Sequence, residues 1–292
     1  MRKAIPKFKI DKKLQRALEN FPKLIKEQER NYKAREKDIA RFAKLSKELA
    51  ESQSKPAIHA WRMCPYGEHW VKTHPMHVKA SKAHPRGSMA TRHSHCAKNP
   101  SGKDHLFPEE IQEIAQQNFT QVKNLPCPLD LDFSKGNDFD ILIAGWVQYW
   151  NEVLTPSEPL DPNLVKALIA TESKFDEKSI FNPKNSNSAR GLMQINNQGR
   201  KSLGDARGEL KDHFVSVTKA DLNDPNINIC SGIRWLFNKK RLASSKLNHE
   251  ASWLETVAEY KGFSKAEPKR RKQLLERFLD KYEVLSKCKK NS

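Results

Sequence analysis

The sequence lacks several features that would assign it to a membrane or metalloenzyme class. It contains no run of about 18 apolar residues, the length that a membrane-spanning helix needs. Its charged N-terminal stretch lacks the apolar core of about 7–15 residues that a secretory signal peptide carries. The H-E-x-x-H pattern of many zinc hydrolases is also absent. We therefore expect no membrane span, no signal peptide and no catalytic zinc of that kind.

Cysteine and apolar residues are both sparse. The five cysteines are an odd number and are widely scattered over 292 residues, which argues against a disulfide framework. Hydrophobic residues make up 37% of the chain, a low fraction for one globular unit, so we expect part of the length to be polar and extended. The length itself suffices for one large domain or two modest ones.

Positive charge is abundant and unevenly distributed. The net charge is +18, yet residues 108–262 hold 18 Lys or Arg against 21 Asp or Glu. The excess is carried by residues 1–55 (17 against 8), 56–107 (8 against 2) and 263–292 (10 against 4). Such flanks suit polyanions, namely nucleic acid, anionic lipid, or the teichoic acids and stem-peptide carboxylates of a cell wall. Ordinary solvated surfaces would give the same pattern, and both interpretations stay open.

Residues 1–55 have the pattern of a basic amphipathic helical segment. One face follows alternating spacings of four and three residues and is mainly apolar, with polar residues at three positions. It consists of Leu14, Leu18, Phe21, Ile25, Gln28, Tyr32, Arg35, Ile39, Phe42, Ser46 and Leu49. This spacing predicts a helical hairpin or docking segment, or alternatively a loose coiled coil. A linker is expected over residues 52–56.

Residues 56–137 are predicted to form a small His/Cys-rich module followed by a connector. Within residues 57–107 lie eight of the ten histidines. Cys64, His69, His93 and Cys96 could form a tetrahedral zinc site, which would explain how a segment with few aliphatic residues folds. Other histidines could substitute as ligands, namely His74, His77, His84 and His95. The alternative is a weakly ordered basic surface segment. A short helix opening at Pro108 is expected next.

A helix ending at Glu172 is the strongest local prediction. Asp161 is a good N-cap and Pro162 suits the first helical position. Glu172 falls on the same helical face as the apolar residues Leu164, Val165, Leu168 and Ile169. A carboxyl group in such surroundings is costly to ionise, so its pKa should rise, as a general acid requires. The alternative is a structural Glu paired with Lys166 or Lys174.

Four short segments occur in the order seen in one enzyme family. They are E-S at 172–173, G-L-M-Q-I-N at 191–196, N-I-C-S-G at 228–232 and A-E-Y-K-G at 258–262. Together they resemble the soluble lytic transglycosylases over roughly residues 139–286. The resemblance implies a mainly α fold, with a lysozyme-like helical catalytic domain at residues 138–292. The N-terminal half is not recognised.

The resemblance also implies a reaction. Glu172 would protonate the glycosidic oxygen between N-acetylmuramic acid (MurNAc) and N-acetylglucosamine (GlcNAc), then accept a proton from the MurNAc C6 hydroxyl as a 1,6-anhydro ring closes. Goose-type lysozymes share the fold but carry Asp just after G-L-M-Q, where this chain has the amide Asn196. This difference favours transglycosylation over hydrolysis. Candidates for a second carboxylate remain at Asp176, Asp205 and Asp212.

Further roles come from the same resemblance. Ser173 and Gln194 would hydrogen-bond sugar groups. Met193 would line the glycan cleft, although a core methionine is the alternative. Asn196 would hold either the loop or the acetamido group of the substrate.

Two residues near 260 complete the expected site. Tyr260 would hydrogen-bond Glu172 and orient it. The next residue, usually Asn in the family, is Lys261 in this chain. Lys261 would either lower the pKa of Glu172 or contact stem-peptide carboxylates of the substrate.

The leading hypothesis is a bacteriolytic peptidoglycan lytic transglycosylase that needs no cofactor for catalysis. It would be a secreted antibacterial effector or a phage-type wall enzyme. Made in the cytoplasm, it would act in the periplasm or cell wall after non-classical delivery. Expected partners are glycan strands and either a secretion-system component or an immunity protein, with nucleic acid less favoured. The alternatives are a non-catalytic glycan-binding module and a basic zinc-containing nucleic-acid-binding protein.

Overall fold

A computed structural model describes residues 60–80, 85–206, 208–263 and 267–288. The predicted helical segment 1–55 lies outside these residues, as does His84. In the described part, no helix is both long enough and apolar enough to cross a bilayer.

Helices dominate the described chain from residue 108 onwards. In chain order they are α1 (Pro108–Asn118), α2 (Asp140–Leu154), α3 (Pro162–Glu172), α4 (Asn197–Leu203), α5 (Pro225–Leu247), α6 (Trp253–Tyr260) and α7 (Pro268–Cys288). Short 3-10 turns lie at Phe119–Gln121 and Asp221–Asn223. The predicted proline starts of α1 and α3 are confirmed. The predicted cap is confirmed too, because the Asp161 side chain accepts the Asn163 backbone N–H at 3.0 Å.

Helix α3 runs through the middle of the core. Its predicted apolar face is almost wholly buried, including Val165, Leu168 and Ile169 at 0% exposure. It packs against α2 on one side and α7 on another. Lys166, also fully buried, forms an ion pair of 2.8 Å with Asp140 at the start of α2. Since packing and this ion pair both fix α3, the helix end that carries Glu172 is held in a defined place.

Residues 68–80 and 85–98 form a two-stranded antiparallel ribbon, which the sequence did not predict. Strand β1 (Glu68–Val71) pairs with β4 (His95–Lys98), and β2 (His74–Val78) pairs with β3 (Ser88–Arg92). The outer pair β2 and β3 is largely exposed on both faces. A strand without a buried face has no need for the alternation of apolar and polar residues that identifies strands in a sequence.

The predicted zinc site is wrong, because its two cysteines are bonded to each other. Cys64 and Cys96 form a disulfide, so neither sulfur is available as a thiolate ligand. Of the expected histidine ligands, His69 places Nδ1 2.7 Å from Asn99 Oδ1, and the His93 carbonyl is 2.9 Å from a neighbouring ring nitrogen. Among the residues that the structure describes, no group of three or more His, Cys, Asp or Glu could hold a metal ion.

A second disulfide joins Cys127, in the connector, to Cys288 at the end of α7. The expectation that the scattered cysteines form no disulfide framework is therefore wrong as well. The two bridges link residues 32 and 161 positions apart. Pairing over such separations is a property of the tertiary fold, and the cysteine spacing alone does not reveal it.

Buried charges attach the base of the ribbon to the helical core. The Arg62 guanidinium is 7% exposed and forms ion pairs with Asp104 and Glu110. Asp104 also lies 3.0 Å from His213 Nδ1, next to β6 (Phe214–Val215). Burial raises the pKa of Asp104, but hydrogen bonds and charges from His213 and Arg62 outweigh it and hold this pKa below its ordinary value.

Backbone pairing reinforces the same attachment. Strand β5 (His105–Leu106) pairs in parallel with β6. The Tyr66 hydroxyl, close to the start of β1, donates a hydrogen bond of 2.6 Å to Asp212 of the helical core. The predicted division into residues 56–137 and 138–292 stays a prediction.

Candidate active site

Glu172 is the last residue of α3, and its side chain is 17% exposed. Its Oε1 atom lies 2.6 Å from Nζ of Lys261, just after α6. The expected structural partner Lys166 is engaged with Asp140 in the core. The carboxylate therefore stands at the edge of the core, with a cation from a different helix end as its partner.

Two opposing effects set the proton affinity of Glu172. Burial disfavours the charged carboxylate and raises its pKa, while the charge and hydrogen bond of Lys261 lower it. Burial is the larger effect, so the pKa of Glu172 stays above its ordinary value. The ion pair fits the first role expected for Lys261, which is to lower the pKa of Glu172.

Tyr260 does not make the predicted hydrogen bond to Glu172. Its hydroxyl donates to the backbone carbonyl of Met193 at 2.7 Å. A phenol has one proton to donate, so this bond ties α6 to the 191–196 loop instead. Burial first, and then the negative charge of Glu172, raise the pKa of Tyr260 well above its ordinary value. Tyr260 therefore lies in the electrostatic surroundings of Glu172 and stays neutral.

The chain makes a strained turn directly after Glu172. Lys174 and Phe175 have φ angles of 57° and 62°, in the left-handed region that residues with a side chain rarely adopt. Phe175 is only 1% exposed and packs on Phe139 and Phe133 with ring centroids 6.5 and 5.8 Å away. Burial of this ring holds the strained turn in place.

Asn228, the first residue of the N-I-C-S-G segment, holds the 191–196 loop through hydrogen bonds to backbone groups. Its side chain is fully buried, accepts the Met193 N–H at 2.8 Å and donates to the carbonyls of Arg190 and Leu222 at 3.0 and 2.8 Å. Gly191 has a φ of 70°, and a Cβ there would lie 2.2 Å from Asn228 Nδ2. The two motifs thus fit together as one structural unit.

Replacing Asn228 by Ala is expected to lower the free energy of unfolding by roughly 2–4 kcal/mol, because buried backbone groups lose their partners. Urea unfolding measures this change. Asn223→Ala, at an exposed position in the neighbouring turn, is the matched control and should leave the midpoint in place. Equal midpoints for the two variants would contradict the role given to Asn228.

Met193 and Ser173 are more enclosed than the predicted sugar-binding roles require. Met193 is 0% exposed, and a Cβ on Gly232 would lie 2.3 Å from its sulfur, so it is a core residue, the alternative considered above. Ser173 is buried, and its hydroxyl donates to the Ile169 carbonyl at 3.3 Å. In the structure Met193 packs in the core and Ser173 bonds to the end of α3, and their contacts with substrate remain a prediction.

Gln194 and Asn196 shape the loop while keeping access to solvent. Gln194 has a φ of 49°, and its amide donates to the carbonyls of Gly191 and Ser179 at 2.8 and 3.1 Å. Asn196 caps α4, since its Oδ1 accepts the Gly199 N–H at 2.7 Å. Asn196 thus holds the loop, the first of the two roles predicted for it. Contacts of Gln194 with sugar remain a prediction.

None of the three candidates for a second carboxylate contributes to the pKa shift of Glu172. Asp176 is exposed and accepts a backbone N–H in its own turn. Asp212 is occupied by Tyr66 and by the backbone of Asp104 in the ribbon attachment. Asp205 lies in the turn after α4 with a φ of 66°. Among the described residues, the one charged group that shifts the pKa of Glu172 is Lys261.

Sequence reasoning missed two residues that build the site. Asn228 belongs to a motif noted in the sequence, but no role was assigned to it. An Asn at the start of a buried apolar stripe needs hydrogen-bond partners, and this signal could have identified its role. Thr171 holds Lys261, whose Nζ lies 3.1 Å from its Oγ1. No signal in the sequence links positions 171 and 261.

A buried helix thus ends in a carboxylate of raised pKa, beside a strained loop. Residues 150–273 match the family model of the transglycosylase SLT domain, so this part of the chain is such a domain. The assignment means glycan cleavage of the lytic-transglycosylase type, with peptidoglycan as the substrate class. No curated protein matches the chain significantly.

Proposed function

We propose that the chain is a peptidoglycan lytic transglycosylase in which Glu172 acts alone, first as general acid and then as general base. One observation carries this proposal. The Glu172 carboxylate is largely buried, and its charged partner among the described residues is the cation Lys261 rather than a second carboxylate. Hydrolases of inverting or retaining type need two carboxylates, one of them to activate water or attack the sugar.

In the proposed reaction, protonated Glu172 gives its proton to the oxygen of the MurNAc–GlcNAc bond. The C1–O bond breaks, and the GlcNAc hydroxyl leaves with that proton. The C6 hydroxyl of MurNAc attacks C1 and loses its proton to the Glu172 carboxylate. This closes a 1,6-anhydro ring and restores the protonated acid, so no water is consumed.

Incubation of the purified protein with peptidoglycan sacculi tests this function. Mass analysis should find soluble fragments that end in anhydro-MurNAc, lighter by one water than reducing ends. Binding to sacculi without any fragments would instead support the non-catalytic glycan-binding alternative. Mainly reducing MurNAc ends would indicate a hydrolase.

The two disulfides support a place of action outside the reducing cytoplasm. Disulfides persist in oxidising compartments such as the periplasm and the cell surface. Both bridges connect distant parts of the fold, Cys64 to Cys96 and Cys127 to Cys288. We therefore propose that the mature enzyme works on the peptidoglycan side of the cytoplasmic membrane, where its proposed substrate lies.

The ribbon supports retention on an anionic wall. Residues 69–103 contain seven Lys or Arg and no Asp or Glu. Of the described ones, five are exposed, namely Lys98 in β4 and four in the outer part of the ribbon, Lys72, Lys79, Arg86 and Arg92. Acidic groups of stem peptides or wall polymers would be attracted to such a surface, and salt would weaken the attraction.

Replacing these four ribbon cations by Gln should lower the fraction of protein that sediments with sacculi and flatten its dependence on salt. The measurement uses a Glu172→Gln background, so that the wall stays intact. A variant with four Gln at exposed α7 positions (Lys269, Arg270, Lys272 and Arg277) has the same net charge and should keep more of the binding. Equal losses in both variants would show that only total charge matters. Retention on DNA but not on sacculi would favour the nucleic-acid alternative.

A further inference from the structure

Lys261 is held against the catalytic carboxylate from several sides. Its side chain is 9% exposed, and Nζ lies 2.6 Å from Glu172 Oε1. The same nitrogen donates to Oγ1 and the carbonyl of Thr171 at 3.1 and 3.4 Å. It also stands 5.8 Å from the ring centroid of Phe263. An ammonium group with this many partners is a fixed part of the site rather than a mobile surface charge.

We propose that Lys261 is a positioning residue that sets the upper pH limit of catalysis, because its ammonium group lies 2.6 Å from Glu172 Oε1 and stabilises the ionised form of that carboxylate. This inference rests on the proposed function, in which Glu172 must be protonated before the glycosidic bond can break. Lys261 itself touches neither the sugar nor the transferred proton in this account. It acts through Glu172.

Among the residues that the structure describes, few titratable groups face Glu172. Lys261 reaches it from the segment after α6, and Tyr260 faces it from the end of α6 as a neutral phenol whose pKa is raised by burial and by Glu172 itself. Helix α3 contributes Lys166, but that cation is paired with Asp140. The competition is therefore between burial, which raises the pKa of Glu172, and Lys261, which lowers it.

The direction of the pH effect follows from the acid role. The rate falls as pH rises through the pKa of Glu172, since the protonated fraction is lost. Removing the positive charge of Lys261 removes the influence that lowers this pKa, while burial remains. The protonated form then persists to higher pH, and the alkaline limb of the pH–rate profile moves upward.

Rates of sacculus cleavage from pH 4 to 9 test the proposal in the full chain. In Lys261→Met and Lys261→Gln the alkaline limb should move up by roughly one to three pH units, the usual effect of one close opposite charge. Lys261→Arg keeps the charge and should leave the limb near its wild-type position. Lys246→Met removes an ion pair of the same 2.6 Å length, to Glu259, at an exposed position and is the matched control.

An unchanged alkaline limb in both neutral variants would overturn the role of Lys261. If the limb also moved in Lys261→Arg, which keeps the positive charge, the shift would reflect altered packing and would count against a charge effect. The shift should appear in the position of the limb and not merely in the maximal rate, which a structural defect would lower at every pH.

A second measurement separates this inference from the proposed function. Carbon-13 NMR of labelled glutamate, with the Glu172→Gln spectrum assigning the signal, follows the titration of Glu172 without any substrate. Its midpoint should rise in Lys261→Gln and Lys261→Met relative to the wild type, and an equal midpoint would overturn the inference. If the folded wild type cleaves no glycan while this shift is found, the proposed function fails and the electrostatic role of Lys261 stands.

Discussion

Replacing Glu172 by Gln is expected to lower the rate of sacculus cleavage by roughly 10²–10⁴-fold, the usual contribution of a general acid. Gln has nearly the same shape, and its carbonyl oxygen can still accept the Lys261 donor that lies 2.6 Å from Oε1. It has no proton of suitable acidity to give to the leaving oxygen and cannot take one back. The rate loss should therefore come without loss of the fold, which circular dichroism and thermal unfolding would monitor.

Glu177→Gln is the matched control for this variant. Glu177 lies five residues further on and carries a partly exposed ion pair with Lys135 at 3.3 Å. The same chemical change is made there without touching the buried carboxylate, so cleavage should stay within about twofold of the wild type. Comparable activity in Glu172→Gln would remove the basis for Glu172 as the acid.

Loss of the Cys127–Cys288 disulfide should produce the largest change in stability. The bridge closes a loop of 161 residue positions, and loop-closure entropy predicts a loss of about 4–5 kcal/mol in the free energy of unfolding. Helix α7 packs against α3 through residues such as Phe278 and Leu285, both 0% exposed. Without the bridge, the end of α7 depends on this packing and on hydrogen bonds such as that from the Tyr282 hydroxyl to Asp161 at 3.3 Å.

Urea unfolding of the Cys127→Ser/Cys288→Ser variant measures the loss. Breaking Cys64–Cys96, which spans 32 positions, should cost less, since the closed loop is shorter. Reduced wild type should be destabilised at least as much as either variant, because it lacks both bridges. A wild type that shows more free thiol than the single one of Cys230 by mass analysis of the oxidised, denatured protein, or equal midpoints with and without reductant, would contradict the bridges.

Helix α3 could be predicted because its signals are local. An N-cap Asp, a following Pro and an apolar face at helical spacing specify Pro162–Glu172 without reference to the rest of the chain. The ribbon could not be predicted in this way. Its outer strands face solvent on both sides, and its disulfide joins positions 32 residues apart, which appeared in the sequence as candidate zinc ligands.

The sequence predicted which residues form the site better than it predicted the hydrogen bonds between them. The motifs brought together Glu172, the 191–196 loop and Tyr260, but assigned the Tyr260 hydroxyl to the carboxylate rather than to the Met193 carbonyl. The Lys261–Glu172 pair spans 89 positions, and the sequence left its role open between two alternatives. Met193 and Ser173 belong to the core because Gly232 and the end of α3 enclose them, which only the packing reveals.

The most direct test of single-carboxylate catalysis is digestion of sacculi in water labelled with heavy oxygen, followed by mass analysis of the new glycan ends. If Glu172 transfers the proton between two sugar oxygens without a water molecule, the ends are anhydro-MurNAc and carry no label. Labelled reducing MurNAc as the main product would contradict the account, since it requires that water attack the sugar and that another group activate it.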